Sequence, residues 1–382
     1  MSAVPLRGND QVALNATALH PVTIPRQTTF QLDSMNPPPL IVRCGALGDM
    51  VLLTPLIHAL AQRYGQPVDL LTSGPWSRPL LAHDPAVGHL QLLTSRKTPY
   101  WLCPSQWRAV HWLKSRGRGP VYLCDRGTEI RALLQRAGVM QEDIVDYFDL
   151  PEPLQAGSEQ WPDQWLAFAK LDPVSAPPGR PADPSSQLRV PRLTIDDRSR
   201  EELSGFLSAR GMDGPLVLLQ PGNKRTHKRG RTATRQHNKF WPAENWAAVA
   251  AGILADLPDA TVVLCGSAPE FGLLEDIRAC ARDPRVRNLA RELPIPRLLA
   301  MTERAHSFVS VDSGPAHVAA ALGCPLVVLF GAAPIPMWKP IGSAPVVVLG
   351  GAKGPASRVE DIQVAEVLAA WRSLLPVGQA PG

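Results

Sequence analysis

No apolar run in this sequence is long enough to cross a bilayer. The longest, such as Pro325 to Ala333, fall well short of the roughly 18 to 20 residues that a span requires. The first 38 residues lack a basic start followed by an apolar core, so they do not read as a secretory signal and the chain is expected to stay in the cytoplasm. The six cysteines are scattered, and no pair has the two-residue spacing of a metal knuckle; they are expected to be buried, reduced thiols. Acid is missing from one stretch. From Lys224 to Lys239 the chain carries Lys224, Arg225, Lys228, Arg229, Arg231, Arg235 and Lys239 with no Asp or Glu, which implies a partner bearing phosphate or another anion. That stretch also lacks the interleaved aromatics on which bases stack, so nucleic acid is not the expected partner.

What remains is a globular composition, 45% hydrophobic and 19% charged, over 382 residues, for which two domains are the natural expectation. Residues 1–38 read as a disordered extension ending in Asn36-Pro37-Pro38-Pro39, and Met35 stands where a compact domain would start. The first 34 residues are therefore expected to be a dispensable tail or the product of a misjudged start codon, which a chain beginning at Met35 tests through its activity and solubility. Short strand-like runs then alternate with helical periods: Leu40 to Arg43, Val68 to Leu71, His89 to Leu93 and Val121 to Cys124. A Pro-rich stretch within residues 172–190 separates them from a second series, Leu216 to Leu219, Thr261 to Cys265, Ser307 to Val311, Leu326 to Phe330 and Val346 to Leu349. This alternation predicts βα units and parallel sheets in two halves, residues 39–171 and 191–356. Residues 357–382 form a closing segment whose Val364, Val367, Leu368, Trp371 and Leu375 make a helical face able to cover either half.

Two Gly turns carry chemistry. The strand Leu40 to Arg43 runs into Cys44-Gly45-Ala46-Leu47-Gly48-Asp49 and then a helix, which sets backbone amides beside a crevice at the carboxyl edge of a sheet. Gly45 and Gly48 do not satisfy G-x-G-x-x-G, which disfavours a hydride-transferring enzyme. Gly48 lets the backbone approach a bound group, and Asp49 lies at the helix start, where it reads either as a cap alone or as a reactive carboxylate. In the second half, Val309-Ser310-Val311-Asp312-Ser313-Gly314-Pro315-Ala316-His317 is a strand, a turn and a small-residue helix whose first amides suit a phosphate. Alone, Asp-x-Gly-x-x-His reads equally as structure or metal binding. Lys239 precedes Phe240-Trp241-Pro242 and a helix; a single Lys is ordinarily a solvated surface residue. Cys265-Gly266-Ser267-Ala268-Pro269-Glu270 ends a buried strand, and Glu270 suits a first helical turn without any ligand.

In order and spelling these segments resemble the bacterial heptosyltransferases that build the inner core of lipopolysaccharide. The carriers are Ile41 to Leu56 with its Leu-Gly-Asp and Thr-Pro, Gln220 to Trp246, Val262 to Glu270, and Val309 to Pro325. The resemblance runs over residues 40–350 and is weak between Gly74 and Pro191. It implies a GT-B architecture, two Rossmann-like domains facing across a cleft. It also implies an inverting transfer of heptose from a nucleotide sugar, ADP-L-glycero-D-manno-heptose, to an anionic lipopolysaccharide-core acceptor, with peripheral membrane contact. By resemblance Asp49 is the general base and Lys239 binds the donor diphosphate. Glu270 contacts the nucleoside, and Asp312, Ser313, Gly314 and His317 hold the diphosphate and sugar. From its charge rather than the resemblance, the acid-free loop with Lys224, Arg225, Lys228, Arg229 and Arg231 is expected to recognise the anionic acceptor or the membrane surface carrying it, with Gly48 also on the acceptor side. No cofactor is expected, and with no Asp-x-Asp triplet in the sequence a catalytic metal is not expected either. The rival readings are the same machinery with another nucleotide sugar or a protein acceptor, and an inert polyanion-binding protein.

Overall fold

A computed structural model describes residues 37–150, 160–175, 186–223, 237–351 and 358–374. Most of the expected N-terminal extension, the middle of the Pro-rich linker and the basic loop from Lys224 to Arg235 lie outside the described residues.

Eleven strands among the described residues form two wholly parallel sheets. The first contains β1 (Leu40–Arg43), β2 (Val68–Ser73), β3 (Val87–Leu93), β4 (Val121–Leu123) and β5 (Ile144–Asp146) in the order β3-β2-β1-β4-β5. The second contains β6 (Leu216–Gln220), β7 (Thr261–Leu264), β8 (Val286–Asn288), β9 (Ser307–Val311), β10 (Leu326–Phe330) and β11 (Val346–Gly350) in the order β11-β10-β9-β6-β7-β8. Strands covered on both faces read as unbroken apolar runs, and Leu40 to Val42, Leu216 to Leu219 and Leu326 to Phe330 are buried throughout. β5 and β8 were not expected from the sequence. Each is three residues long, too short to show a period.

In each sheet the winding reverses once, beside β1 and β4 in the first and beside β6 and β9 in the second. A crevice opens at the carboxyl ends of strands at such a reversal, because the connections leave in opposite directions. Asp49 follows β1, and Asp312 follows β9. Both Gly turns therefore stand at switch points.

Each half has its own core. The first centres on Leu40, Val42, Leu71, Leu113, Leu123, Ile130 and Leu134. In the second, Val217, Leu219, Val262, Leu264, Val309 and Leu329 pack with Trp241 and Trp246. The closing segment covers this second core: after one 3-10 turn, Val359–Asp361, the helix Val364–Arg372 inserts Val367 and Trp371. Trp371 is anchored by its indole N–H, which donates to Ser307 Oγ at 2.8 Å. On the first half, the buried Arg63 donates to the carbonyls of Ala169 at 2.6 Å and Leu171 at 2.8 Å and pairs with Asp172, binding the helix Trp161–Phe168 and its exit to that domain. Cys103, Cys124, Cys265 and Cys324 are buried free thiols, but Cys44 is only half-buried and Cys280 is exposed on the outer face of its helix, against expectation. Burial lifts the Cys44 thiol to about 12, so it stays protonated and unreactive at neutral pH. Among the described residues no helix is long and apolar enough to cross a membrane.

Candidate active site

The first turn is shaped around Asp49. Its Oδ2 accepts the Ala46 backbone N–H at 2.7 Å, closing the helix Leu47–Leu52 from its third position. Its Oδ1 accepts from Arg43 Nη2 at 3.0 Å. The cap reading and the reactive reading are compatible, since a carboxylate has about four lone-pair sites and two are used here. Arg43 in turn donates from Nη1 to Cys124 O at 2.7 Å and lies 6.0 and 5.9 Å from the ring centroids of Trp161 and Trp165. The Cys44 N–H donates to Asp125 Oδ2 at 3.0 Å, so β4 supplies the floor of the turn. Sequence reasoning missed Arg43 and Asp125 as members of the site. The signal was available: each is a charge at the end of an apolar strand, where the switch point lies.

The second turn begins where β9 ends. Ser313 occupies the N-cap position of the helix Gly314–Ala321, but its hydroxyl lies 2.9 Å from Ser310 Oγ and makes no cap bond. The N–H groups of Gly314 and Ala316 in the first turn therefore have no partner within the helix, and its positive end favours an anion. Asp312 Oδ2 and its backbone oxygen receive Lys239 Nζ at 2.5 and 2.9 Å. An ammonium has three N–H donors, so one is left for a ligand.

Trp241 explains how Lys239 comes to be there. It is 1% exposed, donates its indole N–H to Ile362 O at 3.1 Å and meets Trp246 edge-on with centroids 5.1 Å apart. Pro242 then caps the helix Ala243–Asp256. With Asn238 O accepting Val359 N–H at 2.9 Å, the segment is pinned on both sides of Lys239. Removing a buried Trp of this kind costs about 3–5 kcal/mol, so Lys-aromatic-Trp-Pro is a peg as well as a cation.

The two turns touch. A Cβ on Gly48 would lie 2.9 Å from His317 Cδ2 and 3.3 Å from Gly314 Cα, and one on Gly314 would lie 3.0 Å from Leu47 Cβ and 3.1 Å from Gly48 N. Only residues without a side chain permit this approach. His317 is 5% exposed, and its Nδ1 is buried with no hydrogen-bond partner among the described residues. Burial pushes it down to about 4; Lys239 adds to the fall, while Asp312 and Asp49 oppose it. His317 is therefore a neutral imidazole at neutral pH, able to donate one hydrogen bond but not a cation. That all three charges act on one ring puts Asp49, Asp312 and Lys239 around His317.

Glu270 stands apart from this group, after β7. Its Oε2 accepts from the Ser267 N–H at 2.8 Å and Oγ at 2.6 Å, which is the cap reading, yet its Oε1 is buried without a partner. An unsatisfied buried carboxylate oxygen is costly, and a ligand hydroxyl would relieve it.

Residues 189–366 match glycosyltransferase family 9 (heptosyltransferase). Lipopolysaccharide heptosyltransferase 3 of Escherichia coli is 30% identical over 160 residues, 42% of this chain and 44% of the relative, so the match spans less than half of that relative's length. Lipopolysaccharide heptosyltransferase 2 of Escherichia coli K12 is 24% identical over 308 residues, 76% of this chain and 82% of the relative. Among solved structures, Escherichia coli ADP-heptose lps heptosyltransferase II aligns with a TM-score of 0.68 at 21% identity, covering 88% of this chain and 98% of its own. The family 9 glycosyl transferase of Veillonella parvula aligns with a TM-score of 0.70 at 16% identity, covering 89% and 97%. The architecture is GT-B, as the resemblance implies.

Proposed function

We infer that the chain is an inverting glycosyltransferase that moves a heptose from a nucleotide sugar to an anionic lipopolysaccharide-core acceptor. The donor proposed is ADP-L-glycero-D-manno-heptose, and the setting is the cytoplasmic face of the inner membrane. The observation that carries this reading is the meeting of the two switch-point turns, which gathers a carboxylate, an ammonium, a neutral imidazole and an open helix N-terminus around one cleft.

Each residue has a task that its surroundings support. Asp49 accepts the proton of the acceptor hydroxyl as that oxygen forms its bond to the anomeric carbon. The bond from the anomeric carbon to the donor phosphate breaks, and its electron pair leaves with the nucleoside diphosphate. Attack opposite the leaving group inverts the anomeric centre. The amides at the start of Gly314–Ala321 and the spare N–H of Lys239 receive the charge that grows on the diphosphate. Asp312 holds Lys239 in place through two contacts. His317 donates to the phosphate or sugar without adding charge, and Glu270 Oε1 takes a hydroxyl of the nucleoside.

The test is a panel of ADP-, UDP- and GDP-sugars with a Kdo-bearing lipid A acceptor, read as nucleotide release and as anomeric configuration by NMR. ADP-heptose should be turned over well above the others to give an inverted product. A retained configuration would remove Asp49 from its assigned role. Preference for another nucleotide sugar would keep the mechanism and replace the donor. No release with any donor, despite tight binding of polyanions, would leave an inert binding protein instead.

A further inference from the structure

The loop after β3, with the helix it enters, carries an apolar surface that the site does not use. Trp101 is 69% exposed, Leu102 56% and Trp107 45%. Pro99 and Pro104, beside them in the sequence, are exposed as well. A cluster of large apolar side chains in water marks an interaction site. The cluster is also stiff. Gln106 Nε2 donates to Ser95 O at 3.0 Å and Thr98 O at 2.9 Å, the Thr94 N–H donates to Ser105 Oγ at 3.0 Å, and the Trp107 indole N–H donates to Tyr100 O at 2.6 Å.

Its charge is of one sign. No Asp or Glu occurs from residue 85 to residue 124. Lys97 and Arg108, both exposed, flank the tryptophans, and the helix Thr128–Arg136 brings the Arg136 guanidinium to 4.2 Å from the Tyr100 ring centroid. Its orientation is set by the sheet. The loop leaves the carboxyl end of β3, so it stands on the same edge as Asp49, which follows the carboxyl end of β1. Arg96 ties the two together, donating to both oxygens of Asp125 at 3.0 and 3.1 Å while Asp125 receives the Cys44 N–H.

We propose that Trp101, Leu102 and Trp107, ringed by Lys97, Arg108 and Arg136, dock on an anionic lipid bilayer and turn the carboxyl edge of the first sheet toward it. Indoles settle at the headgroup level, where ring and N–H meet different surroundings, and cations beside them are drawn to anionic headgroups. A second copy of the chain fits the patch less well. Three side chains at these exposures offer on the order of 300–400 Å², against roughly 800 Å² per partner in a stable interface. The surface deepens the proposed function, since it would bring the cleft to a lipid-anchored acceptor. Bilayer binding is nonetheless measured without any transfer reaction.

The full chain is mixed with vesicles of phosphatidylcholine alone or with added phosphatidylglycerol, and the bound fraction is read by flotation. Wild type should bind the anionic vesicles and release as salt is raised. Trp101→Ser with Trp107→Ser, and separately Lys97→Gln with Arg108→Gln, should each weaken binding by about tenfold or more, the two charges alone accounting for roughly fivefold apiece. Both pairs are exposed, and an unchanged Tm verifies the fold. Transfer to an acceptor carried in vesicles should fall with binding, while transfer to a delipidated soluble acceptor should not change. Wild-type chain that ignores anionic vesicles, variants that bind like wild type, or self-association through the patch on light scattering would each overturn the proposal. An equal loss on the soluble acceptor would make the patch an acceptor subsite and overturn it too. Vesicle binding as predicted with no transfer to either acceptor would leave the docking surface standing and defeat the assigned reaction.

Discussion

A buried imidazole with its neighbours fixed makes stability depend on pH in a way that can be calculated. His317 is 5% exposed, and burial takes it from 6.5 to about 4. Above pH 6.5 the ring is neutral in the native and the unfolded chain, and it contributes no pH dependence. Below pH 6.5 the unfolded chain takes up a proton that the native ring refuses, so stability falls as pH falls. The loss continues until the native ring itself titrates near 4, and then levels off. At about 1.4 kcal/mol per pH unit, the interval amounts to about 3 kcal/mol. The perturbation is His317→Gln, which keeps a neutral hydrogen-bonding side chain without the titration. Urea midpoints of both proteins are measured from about pH 7.5 to about 4.5, and the difference between the two curves isolates this one group because all others titrate in both. Wild type should lose about 3 kcal/mol relative to the variant across that window. Parallel curves would refute the burial argument, and with it the neutral imidazole in the site.

Three further outcomes follow from the contacts described. Gly48→Ala puts a methyl 2.9 Å from His317 Cδ2, inside van der Waals contact, and should lower transfer by about 10²-fold through a sub-ångström displacement of the two turns; kinetics within threefold of wild type would show that the turns need not touch. Lys239→Ala should depress kcat more than the affinity for free nucleotide diphosphate, because charge on the diphosphate rises as the glycosidic bond breaks. Equal losses in the two measurements would make it a ground-state binding residue. Replacing Lys228, Arg229 and Arg231 by Ser should raise KM for the acceptor, leave KM for the donor unchanged and flatten the salt dependence; a loss confined to donor binding would move the basic loop to the diphosphate side.

Much of this arrangement was legible in the sequence because parallel strands buried on both faces spell themselves as apolar runs, and the Gly turns follow them directly. Leu40 to Arg43 and Ser307 to Val311 are strands over those residues, and the acids and glycines after them stand at the switch points. Harder to read were features that depend on residues far apart. β5 and β8 pair in the sheets through three residues each, which leaves no periodic signal. Arg43 belongs to the site because Cys124 and Asp49 both accept from it, and those partners are brought to it only by the fold. The approach of Gly48 to His317 spans the two halves and has no local signature at all. The sequence offers Lys239 as a cation for the diphosphate but does not show that Asp312 holds it, nor that His317 stays neutral. Both differences arise from burial and neighbours, which spacing does not report.

The central claim is that Asp49 takes the acceptor's proton. Asp49→Asn keeps an oxygen for the Ala46 N–H and removes the charge facing Arg43. The pair is partly exposed, so the fold should change by no more than about 1 kcal/mol. With saturating donor and acceptor in a single turnover, the variant should bind donor as wild type does and transfer it about 10² to 10⁴-fold more slowly, the span expected for loss of a general base. A variant that keeps more than about a tenth of the wild-type rate would contradict the account, whatever its affinity for the donor.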